Sequence, residues 1–244
     1  MATSQTSEVN EVALDEKLDA LDPLRHLRGD TDEVVPPQIP TVVNQTIELN
    51  FSPLEHPVKL VVDAGPGCGG VAWPAGEVLS RYIARKGSLE GRKVIELGSG
   101  TGLVGLVAGY LGAQEVVITD QEQLMKIMEA NIELNHLEDR VRASVLDWGD
   151  ELPSDLPDTV SLILAADCVY AEPAFPLLVS TLSDLSDKYG EPEILFCYKK
   201  RRKADKRFFG LLKKHFTWSE VDDDPDVNLY SREAITLLKL KRKR

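Results

Sequence analysis

From residue 94 the sequence runs Val94-Ile95-Glu96-Leu97-Gly98-Ser99-Gly100-Thr101-Gly102-Leu103, the pattern of a buried strand, a glycine-rich turn and a helix start. Glycines at such a turn let the backbone reverse sharply and approach a ligand closely. Gly100, Gly102 and Gly105 also fit the dinucleotide pattern G-x-G-x-x-G, and a tight strand-to-helix turn needs no ligand at all. Two carboxylates narrow these readings. Asp120 ends the next strand, where it can accept hydrogen bonds from ribose hydroxyls. Glu96, two positions before Gly98, would repel an anionic pyrophosphate but attract a cationic ligand such as the sulfonium and ammonium groups of S-adenosylmethionine. A strand carboxylate paired within the protein is the alternative for Glu96.

Two further clusters fall after strand ends. Asp147-Trp148-Gly149 follows the third strand, where Trp148 can stack on or wall off a purine, or simply pack in the core. Ala165-Ala166-Asp167-Cys168-Val169-Tyr170 follows the fourth. Asp167 and Tyr170 can face a methyl donor and hold an amine between a carboxylate and a phenol; the alternative is a helix N-cap and a packed tyrosine. A lysine amine, with a reference pKa of about 10.4, must lose its proton before it attacks a methyl carbon. A carboxylate beside it stabilises the ammonium, so Asp167 is expected to align the nitrogen lone pair rather than lower its pKa. The run Lys199 to Arg207 follows the fifth strand and reads either as a solvated basic loop or as a docking surface for an acidic patch. The closing run Lys239–Arg244 reads as an exposed tail.

These residues need a sheet to place them. From residue 92 the chain alternates strand and helix, the signature of a mostly parallel sheet with helices on both faces. Strands are expected at 93–97, 115–119, 141–146, 160–165 and 194–198, and helices at about 102–111, 121–134, 173–188 and 205–215. Phe175, Leu178, Leu182 and Leu185 recur at three- and four-residue steps, so that helix buries one stripe. Two last strands near 217–221 and 234–240 lack a long helix between them and are expected to close a seven-stranded, Rossmann-like α/β sheet as an antiparallel pair. Upstream, residues 41–51 and 58–62 predict a β-hairpin, and Trp73 heads a helix with Pro74 in its first turn. Residues 1–40, polar, acidic and proline-rich at their end, read as a flexible extension, with residues 41–244 as one domain; Leu14, Leu18 and Leu21 could line a short helix within it.

The 244 residues carry a net charge of −12, unlike the basic footprint usual in nucleic-acid enzymes; it either suits a basic partner or simply keeps the protein in solution. No stretch approaches the roughly 20 apolar residues of a membrane span. Three widely spaced cysteines, Cys68, Cys168 and Cys197, fit a reducing compartment and no four-cysteine metal site. A soluble, cytoplasmic, monomeric protein without a metal is expected.

Taken together, Trp73, the loop at 96–105, Trp148-Gly149 and Ala166-Asp167-Cys168-Val169-Tyr170 resemble the seven-β-strand methyltransferase family 16, the eukaryotic protein-lysine methyltransferases of methyltransferase-like 21 type. Cys68-Gly69-Gly70, residues 164–170 and residues 198–206 are most similar to its fungal elongation-factor methyltransferases. The resemblance covers roughly residues 41 to 240 and implies S-adenosylmethionine as methyl donor and a lysine of translation elongation factor 1-alpha as acceptor. It implies cofactor contacts at Trp73, Gly98, Ser99, Gly100, Asp120, Trp148 and Ala166, and places Asp167 and Tyr170 in the family's Asp-x-x-Tyr motif. Amino methyltransferases of nucleic-acid bases are the competing class; there a Pro-Pro pair shapes the base pocket, where this chain has Cys168 and Val169. A lysine methyltransferase with another protein substrate is the second alternative.

Overall fold

The computed structural model describes residues 44–65, 68–203 and 205–244. Residues 1–43, including the expected extension, the 14–21 helix and the first residues of the hairpin, lie outside them.

The chain enters as an antiparallel hairpin of β1 (Gln45–Leu49) and β2 (Val58–Val62), which forms a separate two-stranded sheet. In β2, Val58, Leu60 and Val62 are buried and alternate with exposed Lys59 and half-buried Val61, the period-two pattern of a sheet with one buried face. Two asparagines dock it. Asn131 Oδ1 accepts the Val61 amide at 2.6 Å while its Nδ2 donates to the Val61 carbonyl at 3.1 Å, and Asn135 repeats the pairing with Lys59 at 2.9 and 2.6 Å. The two carboxamides, one on the helix Met125–Leu134 and the other, four residues on, just past its end, take the place of a further strand along the β2 edge.

Helix α1 (Pro74–Lys86) starts on Trp73, with Pro74 in its first turn, and ends at Gly87. The main sheet follows: β3 (Lys93–Leu97), α2 (Leu103–Tyr110), β4 (Glu115–Asp120), α3 (Met125–Leu134), β5 (Val141–Val145), β6 (Leu162–Ala166), α4 (Phe175–Tyr189), β7 (Glu193–Lys199), α5 (Asp205–His215), β8 (Phe216–Glu220), α6 (Val227–Ser231) and β9 (Ile235–Arg242). The strand order is β5-β4-β3-β6-β7-β9-β8, with β9 antiparallel to both of its neighbours and β5, β4, β3, β6 and β7 mutually parallel. Residues that alternate along each strand divide the core in two. Val94, Ile118 and Leu164 face the hairpin, α1, α2 and α3, whereas Ile95, Val117 and Ile163 face α4 and α5. The stripe Phe175, Leu178, Leu182 and Leu185 is buried as its spacing predicts, and α4 stops at Gly190, whose left-handed backbone (φ 68°) ends the helix without a Cβ clash.

Four local expectations change. The helix after β4 opens as a 3-10 turn at Glu122–Leu124 before α3, and the helix after β6 does the same at Glu172–Ala174. The fourth strand begins at Leu162 rather than Val160. The basic run at 239–244 is not a free tail: Leu238 and Leu240 are buried within β9, and Arg242 grips Asp187 through two hydrogen bonds of 3.0 and 2.9 Å.

Chain order reverses direction in space between β3 and β6, the switch point at which open α/β sheets form a crevice. Because Leu97 is in register with Ala165, the chain leaves the sheet at Gly98 and at Asp167 side by side.

Candidate active site

Glu96 lies near the end of β3 and is 2% exposed. Its Oε2 accepts the Gly105 amide at 2.8 Å, which ties the strand to the start of α2. Burial pushes its pKa up to about 8, against the opposing pull of the Gly105 amide and of Ser99. Ser99 is stitched to β4: its amide donates to the Thr119 carbonyl at 3.0 Å, and its Oγ accepts the Thr119 amide at 2.9 Å. Two glycines are sterically required. Gly98 has φ 60°, and a Cβ there would lie 2.8 Å from the Trp148 indole. Gly100 has φ 55°, and its Cβ would lie 2.5 Å from the Gly69 carbonyl oxygen.

Asp120 closes the loop from β4. Its Oδ2 accepts the Gly100 amide and its Oδ1 the Gln121 amide, both at 2.8 Å, while burial raises its pKa. Two of its roughly four lone-pair sites remain for a ligand. Trp148 packs edge-on to Tyr170, with ring centroids 6.5 Å apart, and the amide of Gly149 donates to the Thr181 hydroxyl.

On the β6 side, Asp167 adopts a left-handed backbone (φ 58°), and its amide donates to the Cys197 carbonyl at 2.8 Å. Its side chain does not cap a helix. Arg201 binds it bidentately, with Nη1 donating to Oδ1 and Nη2 to Oδ2, both at 2.7 Å, and the Lys199 amide donates to Oδ1 at 3.1 Å. The Arg201 guanidinium also lies 5.1 Å from the Trp73 ring centroid. Arg202 turns inward as well, donating to the Tyr170 carbonyl at 2.5 Å and lying 3.4 Å from Asp205. Asp205 Oδ2 accepts the amides of Arg201 and Arg202 at 3.0 and 3.1 Å. The basic run is therefore not uniformly a solvated surface: Lys200, Lys203 and Lys206 are exposed, but the Arg201 and Arg202 side chains are each only 7% exposed. Sequence reasoning missed both arginines as site residues. The only local signal was Asp205, three residues after Arg202.

Trp73, Glu96, Gly98, Ser99, Gly100, Asp120, Trp148, Ala166, Asp167 and Tyr170 all line one cavity of about 1020 Å³, with Arg201 and Arg202 completing its wall. Tyr170 stands at the rim, 41% exposed. The arrangement is an acidic, glycine-floored crevice with two aromatic walls, opening beside a neutralised carboxylate.

Comparison with known proteins gives this geometry a context. A family described as lysine methyltransferase matches residues 54–215. The chain belongs to that lysine methyltransferase family. It is 40% identical over 88% of its length to protein-lysine N-methyltransferase EFM6 of Saccharomyces cerevisiae, covering 98% of that protein. It is 37% identical to protein N-lysine methyltransferase METTL21A of Danio rerio, across 82% of this chain and 92% of that one. EEF1A lysine methyltransferase 3 of Mus musculus is 34% identical, across 72% and 77% of the two chains. In fold, this methyltransferase is similar to the Thermus thermophilus 16S rRNA methyltransferase RsmC solved with AdoMet and guanosine (TM-score 0.58, 17% identity, 82% of this chain and 50% of that chain).

The enzyme is thus a protein-lysine N-methyltransferase of seven-stranded, Rossmann-like fold, for which S-adenosylmethionine is the expected methyl donor. The crevice suits that methyl donor chemically. A buried carboxylate whose pKa burial has raised is expensive to ionise alone and is favoured in its charged form by a nearby cation. The methyl donor supplies an electrophilic methyl group on a positively charged sulfur. Among the described residues, no group of three or more His, Cys, Asp or Glu is placed to hold a metal, and no helix is long and apolar enough to cross a membrane.

Proposed function

We propose that this enzyme methylates a lysine of translation elongation factor 1-alpha, acting as a cytoplasmic monomer on a protein and not on nucleic acid. The observation that carries the substrate is the 34% identity to a protein named for EEF1A lysine methylation, joined to the Asp167-to-Tyr170 motif at the rim of the crevice. Within the site, Gly98, Ser99 and Gly100 bring the backbone against the cofactor. Asp120 accepts from the ribose hydroxyls, and Trp148 walls the adenine. Glu96 faces the cationic methionine end, and Trp73 and Ala166 complete the enclosure. Asp167 and Tyr170 place the lysine nitrogen for in-line attack, with the placement itself worth orders of magnitude in rate.

The test mixes purified enzyme, S-adenosylmethionine and purified elongation factor 1-alpha and maps new methyl-lysine by mass spectrometry. A specific methyl-lysine is expected. Its absence, with a different protein labelled in a lysate lacking the gene, would replace the substrate and leave the lysine methyltransferase activity standing.

A further inference from the structure

We infer that Arg201 is the positioning residue that makes Asp167 usable beside a lysine, because it cancels the carboxylate's charge while leaving it a single directed acceptor site. The inference rests on the proposed placement of the lysine nitrogen beside Asp167 and deepens it.

An isolated buried carboxylate facing a lysine is a poor arrangement for methyl transfer. It stabilises the ammonium, and the ammonium has no lone pair with which to attack. The nitrogen must first give a proton to solvent; the N–C bond then forms as the C–S bond breaks and its electron pair returns to sulfur. Asp167 is not isolated. Arg201 meets both of its oxygens at 2.7 Å in the two-pronged geometry of the strongest carboxylate pairs, with both side chains nearly inaccessible to water. The carboxylate has about four lone-pair sites. Arg201 takes one on each oxygen and the Lys199 amide takes the second on Oδ1. What remains is one site on Oδ2, enough to orient one N–H of an amine and too few to cradle an ammonium.

The guanidinium is itself fixed. The Trp73 ring lies 5.1 Å away on one side, and the Arg201 amide is tied to Asp205 at 3.0 Å. The other charged and titratable groups around Asp167 do not supply this compensation. The Cys168 and Cys197 thiols are buried, and burial pushes both well up, which leaves them neutral. Arg202 is paired with Asp205, and Glu172 with Arg207. Tyr170 projects to the rim, and Glu96 and Asp120 lie on the glycine-loop side of the cavity. Of these groups, only Arg201 contacts the carboxylate with a positive charge.

Charge compensation has a signature that packing lacks. With saturating substrate and cofactor, the acidic limb of the kcat–pH profile reports loss of the proton from the bound lysine. Arg201→Gln leaves the carboxylate uncompensated, and the limb should move up by at least about one pH unit, so that activity lost near neutrality returns in alkali. Asp167→Asn leaves the guanidinium uncompensated, and the limb should move down, with a lower plateau. Arg201→Lys keeps the charge but not the fork, and should lower the plateau with the limb in place. S-adenosylmethionine affinity, measured by calorimetry, should change less than about threefold in Arg201→Gln if the cofactor half of the site is intact. A limb that stays where it is in both Arg201→Gln and Asp167→Asn overturns the inference. Should Arg201→Gln not fold, Asp167→Asn alone decides, because an unmoved or upward limb contradicts it. A wild-type enzyme that methylates no lysine would instead defeat the proposed function.

Discussion

The glycine loop at 98–105 and the basic run at 199–207 both leave the sheet at strand ends and both wall the same cavity, yet they are built in opposite ways. The loop is made of backbone. Its bonds join Gly105 to Glu96 and Gly100 to Asp120, partners 9 and 20 residues apart, and its glycines are dictated by atoms a Cβ would strike. The basic run works through side chains that reach back 34 residues to Asp167 and 32 to Tyr170. A site held by backbone leaves its mark in residue type and spacing. A site held by side-chain pairing leaves only a charge, which says nothing of whether it faces water or the interior.

The largest effect should come from cutting that long-range pair. Asp167→Ala strands the buried Arg201 guanidinium and should cost about 3–5 kcal/mol of folding stability. A thermal melt within a degree of wild type would erase the contrast between the two regions. A double variant, Asp167→Leu with Arg201→Met, should recover most of that loss while remaining inactive, because a fitted apolar pair replaces the buried ions.

On the backbone side, Gly100→Ala drives a methyl group onto the Gly69 carbonyl in a conformation that L-residues disfavour. Overpacking of about 3 kcal/mol should weaken S-adenosylmethionine binding roughly a hundredfold by calorimetry. Unchanged affinity would mean that the loop yields and is not a rigid cradle.

Asp120→Ala should cost about 1.5–3 kcal/mol of cofactor binding, the scale of losing a charged acceptor, and it also releases the Gly100 amide. Equal affinities would confine Asp120 to holding the loop.

Glu96 ties the comparison to pH. Its pKa in the folded protein, about 8, lies above its ordinary 4.5, so the folded state keeps a proton that the unfolded chain loses between those values. Stability without ligand should therefore fall as pH rises from about 4.5 to about 8 and level off beyond, and Glu96→Gln should remove this contribution. Because a cationic ligand favours the ionised acid, S-adenosylmethionine should bind several-fold tighter at pH 8.5 than at pH 6.5 in wild type, roughly within the tenfold per pH unit that linkage allows, and Glu96→Gln should bind with less pH dependence. Matching pH dependences for the two proteins would detach Glu96 from the ligand.

The smallest effect belongs to the exposed lysines of the basic run. Reversing Lys200, Lys203 and Lys206 together should leave stability and cofactor affinity unchanged and alter the KM for the protein substrate only a few-fold, in a salt-dependent way. A change in cofactor affinity would show that these lysines reach the cofactor half of the cavity and do not act on the protein substrate alone.

How much of this was legible follows from the same distinction. The strand–helix alternation, the buried stripe of α4, the antiparallel closing strands and the glycine loop all express periods and spacings within a few tens of residues. That Glu96, Asp120, Trp148 and Asp167 share one cavity could be read from the sequence because each stands at or near a strand end, and in a parallel sheet strand ends converge. The insertion of β9 between β7 and β8 was not visible, since register between distant strands is set by which faces bury one another. Nothing in the residue type or spacing of Asn131 and Asn135 points to the β2 edge that lies against them. Arg201 and Arg202 looked like their lysine neighbours because the partner that distinguishes them sits on another strand.

The stack of Arg201 on Trp73 has a practical consequence. Of the three tryptophans in the chain, Trp73 and Trp148 line the cavity, while Trp218 packs on Phe209 beneath the far edge of the sheet. An indole whose face meets a guanidinium emits in an electric field that depends on that cation staying in place. Ultraviolet fluorescence thus offers a label-free view of the crevice: a Trp148→Phe, Trp218→Phe protein would leave Trp73 as the single tryptophan, and its spectrum, excited to the red of tyrosine absorption, would report in real time whether the arginine remains seated as ligand enters.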